Sequence, residues 1–144
     1  MSHSDVLISV VIPSYNYAFA LKRAVSSVVN QLNHKHELIV IDDGSTDETP
    51  SVVAQIKKEM PGRVRFIRKE NGGPSSARNL GIRESLGTYL IFLDADDELL
   101  PSALQALVRH IADHPASRFI IGGHIAVSPD GKRREHIPGF LPEI

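Results

Sequence analysis

Tyr89-Leu90-Ile91-Phe92-Leu93-Asp94-Ala95-Asp96-Asp97 is a short apolar run that stops in three carboxylates within four positions. A continuous Tyr/Leu/Ile/Phe stretch of strand length, with Gly87 ahead of it, reads as a parallel strand covered on both faces. In open α/β sheets ligands bind outside the carboxyl ends of such strands. Asp94 and Asp96 are two apart, so an extended backbone points them the same way and turns Ala95 opposite. Two hard oxygen ligands on one side suit Mg²⁺ or Mn²⁺ shared with a substrate's phosphates. A plainer reading makes residues 94–98 the polar loop and first turn before a helix that follows Pro101. This segment alone leaves both readings open.

Upstream, the same pattern repeats. Val6-Leu7-Ile8-Ser9-Val10-Val11-Ile12 is a β-branched run that Pro13 is expected to stop, followed by the polar, aromatic Ser14-Tyr15-Asn16-Tyr17. Phe19, Leu21, Ala24, Val25, Val28, Val29 and Leu32 recur at helical spacing over residues 18–32. Glu37-Leu38-Ile39-Val40-Ile41 is a second buried strand, and it too ends in acids, Asp42 and Asp43. A second helix is marked by Val52, Val53, Ile56 and Met60, with Ser45 or Thr46 expected as its N-cap. Val64 to Arg68 reads as a strand nearer the sheet edge. Asn71-Gly72-Gly73-Pro74 is a turn, and a third helix opens at Ser75.

Downstream, Pro101 is placed at or near the start of a fourth helix. Residues 119–127 read as a fifth strand, with Pro129-Asp130-Gly131 turning the chain back. Strand and helix in regular alternation predict βαβ units: an α/β fold with a mostly parallel sheet and helices on both faces. Residues 137–144 are apolar and turn-rich and stop without a closing element, so the 144 residues are expected to be a truncated part of a longer protein.

Composition narrows the function classes. The chain is long enough for one domain with a proper core. Hydrophobic residues make up 42% and charged residues 23%, ordinary for a globular protein. A net charge of −1 gives no polyanion footprint, so nucleic acid is not the expected partner. The chain has no cysteine, which removes thiol catalysis and cysteine-ligated zinc. No apolar run approaches the roughly 20 residues of a membrane span, and the polar start is no signal peptide.

Three strand ends carry polar clusters: Pro13-Ser14-Tyr15-Asn16, Asp42-Asp43-Gly44-Ser45 and Asp94-Ala95-Asp96-Asp97. In a doubly wound sheet all three fall on one rim and can converge on one ligand. Neither a G-x-G-x-x-G dinucleotide fingerprint nor a P-loop is present. A nucleotide site read by carboxylates and an aromatic remains, with the diphosphate held through a metal. Asp42 suits a structural role over the amides of residues 44–46, and Asp43 is the better ligand. Arg78 fits a ligand contact or an ordinary surface ion pair. Asp97 and Glu98 read as cap and first turn. His110 and His114, four apart on a helix, have metal-face spacing but no third ligand, and are expected to face solvent. Arg63, Arg65, Arg68 and Lys69 form a basic cluster that reads as a solvated edge, or more weakly as a surface for an anionic acceptor or lipid.

The arrangement resembles the nucleotide-binding portion of a family 2 inverting glycosyltransferase with the GT-A (Rossmann-like) fold. The resemblance is carried by Val11-Ile12-Pro13-Ser14-Tyr15-Asn16, by residues 40–47 and 71–79, and by Phe92-Leu93-Asp94-Ala95-Asp96-Asp97, in order and spacing over roughly the first 100 positions. It implies transfer of a sugar from a nucleoside diphosphate donor, uridine diphosphate foremost, to the hydroxyl of a glycan or lipid-linked acceptor. Carried over by position, Pro13 and Tyr15 line the base pocket, Tyr15 by stacking, and Asp43 accepts from the base's ring N–H. Asn71 and Arg78 approach the base, Asp94 faces the ribose or the metal, and Asp96 binds Mg²⁺ or Mn²⁺. The resemblance also implies a cytoplasmic setting, extending to the inner face of the membrane for a longer protein associated peripherally with it.

An inverting transfer needs a general base, and in this family that carboxylate lies in the acceptor-binding half. Asp113, Asp130, Glu135 and Glu143 sit in no recognisable acceptor motif, so the base is expected beyond Ile144. Residues 1–144 are therefore expected to bind donor and metal but to turn over poorly, and to pair as a homo-dimer if a sheet face is left bare. Two other readings stand beside this one. A sugar-phosphate nucleotidyltransferase would want a Gly-rich basic loop after the first strand, which is missing here. A non-catalytic nucleotide-sugar-binding module draws its support from the missing base.

Overall fold

The computed structural model describes residues 6–118, 120 and 122–136. They divide into two compact units, Met1–Leu107 and Val108–Ile144. The first unit runs β1 (Ile8–Ser14), α1 (Ala18–Val29), β2 (His36–Asp42), α2 (Thr49–Glu59), β3 (Arg65–Arg68), α3 (Pro74–Glu84) and β4 (Tyr89–Phe92). Helix α4 (Ala103–Asp113) begins in that unit, and β5 (His124–Val127) and β6 (Arg133–His136) belong to the second.

Four strands form one parallel sheet in the order β3-β2-β1-β4. From β1 the chain steps outward through β2 to β3, then returns to place β4 on β1's other side. The carboxyl ends of β1 and β4 therefore flank the point where strand order reverses, where such sheets open a crevice for ligands.

Strand pleating decides what each face holds. Val11, Ile39 and Ile41 point to one face and close on Ala77 of α3, with Ile67, Leu80 and Leu90 packed against them. Val10, Ile12, Leu38 and Val40 alternate to the other face and are equally buried. Helix α1 packs on β1 and on α2, and buries Leu21, Val25 and Val28. Each such aliphatic side chain contributes about 1.5–3 kcal/mol by leaving water. Helices thus cover both faces, as the alternation of elements predicts.

Several local expectations are corrected. Pro13 does not stop β1; it pairs with Ile41 inside the strand. Its missing N–H lies on the side of β4, whose pairing with β1 ends at Phe92 opposite Val11, so no ladder bond is lost. β4 is not covered on both faces. It is half-buried at the edge of the sheet, and Phe92 is 39% exposed. Neither Ser45 nor Thr46 caps α2, which starts later, at Thr49. Pro101 does stand near the start of α4, two residues ahead of Ala103, in a turn where Ser102 takes a φ of 66°.

The second unit holds a separate antiparallel pair, His124 opposite His136 and Val127 opposite Arg133, with every residue of both strands exposed. The fifth strand is therefore shorter than expected and outside the parallel sheet, while Phe119, Ile121 and the apolar stretch 137–144 lie outside the described residues. The expected turn is present, with Gly131 at φ 80° and its N–H donating to Ser128 O at 2.8 Å.

Candidate functional site

The loop after β1 turns sharply because Asn16 adopts φ 58°, a left-handed conformation that asparagine tolerates better than most residues. Its side chain then bridges to the loop after β2. Asn16 Oδ1 accepts from Thr46 N at 2.8 Å and Asp47 N at 3.3 Å, and Asn16 N donates to Ser45 Oγ at 3.0 Å. Asp47 answers in the other direction. One carboxylate oxygen accepts from Ala18 N at 3.0 Å, capping α1 from across the loops, and the other accepts from the amide and hydroxyl of Thr49. Burial pushes the Asp47 carboxyl up, but these hydrogen bonds outweigh it and hold it below its ordinary value.

Asp42 is structural. Its two oxygens take Ser45 N at 2.9 Å and Arg68 Nη1 at 2.7 Å. Asp43 is 2% exposed and binds three donors: Lys69 Nζ at 2.7 Å, Gly72 N at 3.1 Å and Gly73 N at 2.8 Å. Burial raises its carboxyl, while Lys69 and the two glycine amides together draw it below the ordinary carboxylate value. An ionised carboxylate has about four acceptor positions, so Asp43 keeps one in reserve. Asn71 Nδ2 donates to the Asp43 carbonyl at 3.1 Å. Gly44 makes this closeness possible: its φ is 76°, and a Cβ there would stand 2.9 Å from Asn71 N.

At the other side of the switch point, Arg78 Nη2 donates to Asp94 Oδ1 at 2.8 Å, and its guanidinium lies 6.0 Å from the centre of the Phe92 ring. Both partners are substantially exposed, so the pair orients more than it stabilises. The acids do not continue an extended strand. Asp97 N donates to Asp94 O at 3.0 Å, closing a turn over Ala95 and Asp96. Leu93 and Ala95 are buried beneath that turn, and Asp94 and Asp96 stand out into solvent.

The residues singled out from the sequence therefore fall along one rim. Pro13 lies within β1 near its carboxyl end, half-buried, and Tyr15 follows it with 45% exposure. Asp43 and Asn71 join the loops after β2 and β3, and Arg78 and Asp94 join α3 to the loop after β4. Hydrogen bonds tie the loops after β1, β2 and β3 to one another, and the loop after β4 is tied to α3 through Arg78. Asn16, Ser45, Asp47 and Lys69 belong to this framework and were not legible as such. Their only signal was short polar or basic side chains just past strand ends.

The basic cluster lies at the edge strand β3 as expected, with Arg63, Arg65 and Arg68 exposed, and each member also has a partner within the chain. Arg63 donates to the carbonyls of Val29 and Leu32, Arg65 pairs with Glu37 and Glu84, Arg68 with Asp42, and Lys69 with Asp43. His110 and His114 are exposed, their rings stacked at 4.4 Å.

Among the described residues no three His, Cys, Asp or Glu side chains come together as a cation cage. Mg²⁺ and Mn²⁺ shared with a diphosphate need less: one or two carboxylates and water. Asp94 and Asp96 offer that hard-oxygen set on an exposed turn, so the donors fit such an ion. Among the described residues no helix is long and apolar enough to cross a membrane.

Comparison with known proteins adds an independent observation. The family model for glycosyl transferase family 2 matches residues 9–142. An uncharacterized glycosyltransferase of Rickettsia bellii is 38% identical over 135 residues, covering 92% of this chain and 19% of that protein. Among solved structures, S. aureus TarS 1-349 in complex with UDP superposes with a TM-score of 0.69 at 25% identity, over 76% of this chain and 33% of that one. The mannosyltransferase PcManGT from Pyrobaculum calidifontis, in complex with GDP-Man and Mn²⁺, gives 0.67 at 27% identity, over 74% of this chain and 32% of that one. The chain thus spans about a fifth of the Rickettsia relative and about a third of each of these structures.

Proposed function

The chain belongs to glycosyl transferase family 2, and on that premise we propose that it binds the nucleoside diphosphate of a sugar donor, uridine diphosphate foremost, for inverting transfer to a glycan or lipid-linked acceptor. The observation that carries this reading is the set of loops on the carboxyl rim of the parallel sheet, three tied together by hydrogen bonds and the fourth tied to α3. It brings an exposed aromatic, a buried carboxylate and two exposed carboxylates to one rim.

Each residue has a task its surroundings fit. Tyr15, exposed beside Pro13, stacks on the base. Asp43, held ionised by Lys69 and two amides, offers its remaining acceptor position to the base's ring N–H, beside Asn71. Arg78 approaches the base from α3 and orients Asp94 toward the ribose and the metal. Asp96 binds the metal. A divalent ion held there would neutralise the diphosphate and stabilise the charge that builds on the leaving group. The TarS complex with UDP supports the uridine choice, and the PcManGT complex with Mn²⁺ supports the ion.

No residue described is assigned the general base, so these 144 residues are proposed to bind donor and turn it over poorly. Calorimetry of UDP against the chain, with Mn²⁺ and then with EDTA, tests the reading. Binding that Mn²⁺ strengthens over EDTA, with that gain lost in Asp96→Ala, is the expected result. UDP and GDP both failing to bind in the presence of Mn²⁺ would overturn it.

A further inference from the structure

Helix α1 carries a polar line that the core does not need. Arg23, Ser27 and Gln31 recur every four residues, from the middle of α1 to just beyond its end, and so share one side. All three reach residues 96–104, which run from the acidic turn through an irregular stretch into the start of α4. Ser27 Oγ donates to Ala24 O of its own helix at 2.7 Å, which leaves the oxygen free to accept from Leu99 N at 3.0 Å. Gln31 uses both ends of its amide: Nε2 donates to Leu100 O at 3.0 Å, and Oε1 accepts from Leu104 N at 3.2 Å. Arg23 Nε pairs with Glu98 Oε1 at 2.5 Å, and Arg23 Nη2 lies 3.4 Å from the carbonyl of Asp96 itself. The segment has little regular structure of its own, yet Leu104 at its end is fully buried. Its path is dictated largely from α1.

We infer that Ser27 and Gln31 are positioning residues for Asp96: they hold the backbone behind the acidic turn so that the carboxylate meets the metal–diphosphate in one place. This rests on the donor-site reading of Asp96 given above. A carboxylate on an exposed turn is useful to an ion only if its backbone is fixed to a fraction of an ångström. The turn is closed by the bond from Asp97 N to Asp94 O, Arg78 holds the Asp94 carboxylate, and α1 reaches the backbone that follows. Because Ser27 and Gln31 touch main-chain atoms, they act whatever side chain follows Asp96.

The test compares Ser27→Ala, Gln31→Ala and the conservative Ser27→Thr with Lys22→Ala. Lys22→Ala breaks an exposed ion pair to Glu59 on the same helix and serves as control. UDP affinity is measured by calorimetry with Mn²⁺ and with EDTA, alongside hydrogen exchange over residues 97–104 and thermal melting. Ser27→Ala and Gln31→Ala are expected to weaken Mn²⁺-dependent UDP binding about tenfold, the scale of lost support behind a metal ligand. Exchange at Leu99 and Leu104 should rise, EDTA binding should stay put, Ser27→Thr should restore affinity, and Lys22→Ala should change nothing. Unchanged Mn²⁺-dependent affinity in both alanine variants, with Asp96→Ala still abolishing it, overturns the inference and leaves the donor site standing. Equal losses with Mn²⁺ and EDTA overturn it too, since they mark general damage. If Asp96→Ala and the parent chain behave alike, the donor-site reading of Asp96 has failed and takes this inference with it. Should Gln31→Ala not fold, Ser27→Ala decides alone, because it removes one acceptor and no bulk.

Discussion

Asp43 shows how one carboxylate can organise a site while hidden from solvent. Its three donors come from two sources, an ammonium and two consecutive amides, so substitution strands several groups together. Breaking a largely buried, charge-assisted cluster of this kind costs on the order of 3 kcal/mol, and Asp43→Asn should lower the unfolding free energy by about that much in urea titrations at neutral pH. The pH dependence follows from its depressed carboxyl, and from that of Asp47. An unfolded aspartate titrates near about 3.9. Stability contributed by these groups is therefore complete above that value and is lost as pH falls through the lower folded values. Melts over roughly pH 2–7 should show the contribution of these two carboxylates being lost below about pH 4, and Asp43→Asn should make that part of the fall shallower. An equally steep fall in the variant would contradict the assignment. From sequence, the structural role of Asp42 was legible from its place before Gly44, and its carboxylate does accept from Ser45 N. Lys69 as the counter-ion of Asp43 was not, because a basic residue 26 positions away gives no local sign of its partner.

At the scale of elements, α3 is held against the sheet by closeness as much as by apolar area. Gly81 sits where a Cβ would come within 2.4 Å of Val11 Cγ1, a fully buried side chain of the central strand. Gly81→Ala gains helix propensity but must push α3 off β1. Overpacking of this kind costs about 1–3 kcal/mol, so a lower thermal midpoint is expected, and a stabilised variant would show that α3 has room to shift. Arg78 rides on the same helix, so metal-independent UDP affinity should fall along with stability. The existence and order of βαβ elements were readable from apolar runs and their punctuation. What failed was local competition. Pro13 stays in a strand because the sheet has no neighbour for its missing N–H, and the acids after β4 bend into a turn because buried Ala95 and Leu93 anchor it. Neither outcome is encoded within a few residues; both depend on which strand lies alongside.

Across the whole chain, the two units differ in kind. The first is built on two strands, β1 and β2, buried over most of their length, and the second contains a two-stranded ribbon exposed at every position. An isolated hairpin is marginal in water, so amides of His124–Val127 and Arg133–His136 should exchange orders of magnitude faster than those of Ile8–Ser14 and His36–Asp42. Equal protection, measured by hydrogen–deuterium exchange, would mean that the ribbon is covered in solution. The composition and alternation of the chain announced a parallel sheet but not this division, since residues 119–127 carry the same apolar signature as a core strand. The strand order also sets a timetable for synthesis. β1 meets β2 early, but its other flank, Ile8 beside Tyr89, is filled only by the last strand of the sheet. At about 5–20 residues per second of translation, the most apolar strand of the nascent chain waits roughly 2–10 s with one edge bare. During that interval α1 can cover one face of β1, but the main-chain groups along the bare edge stay open to other chains.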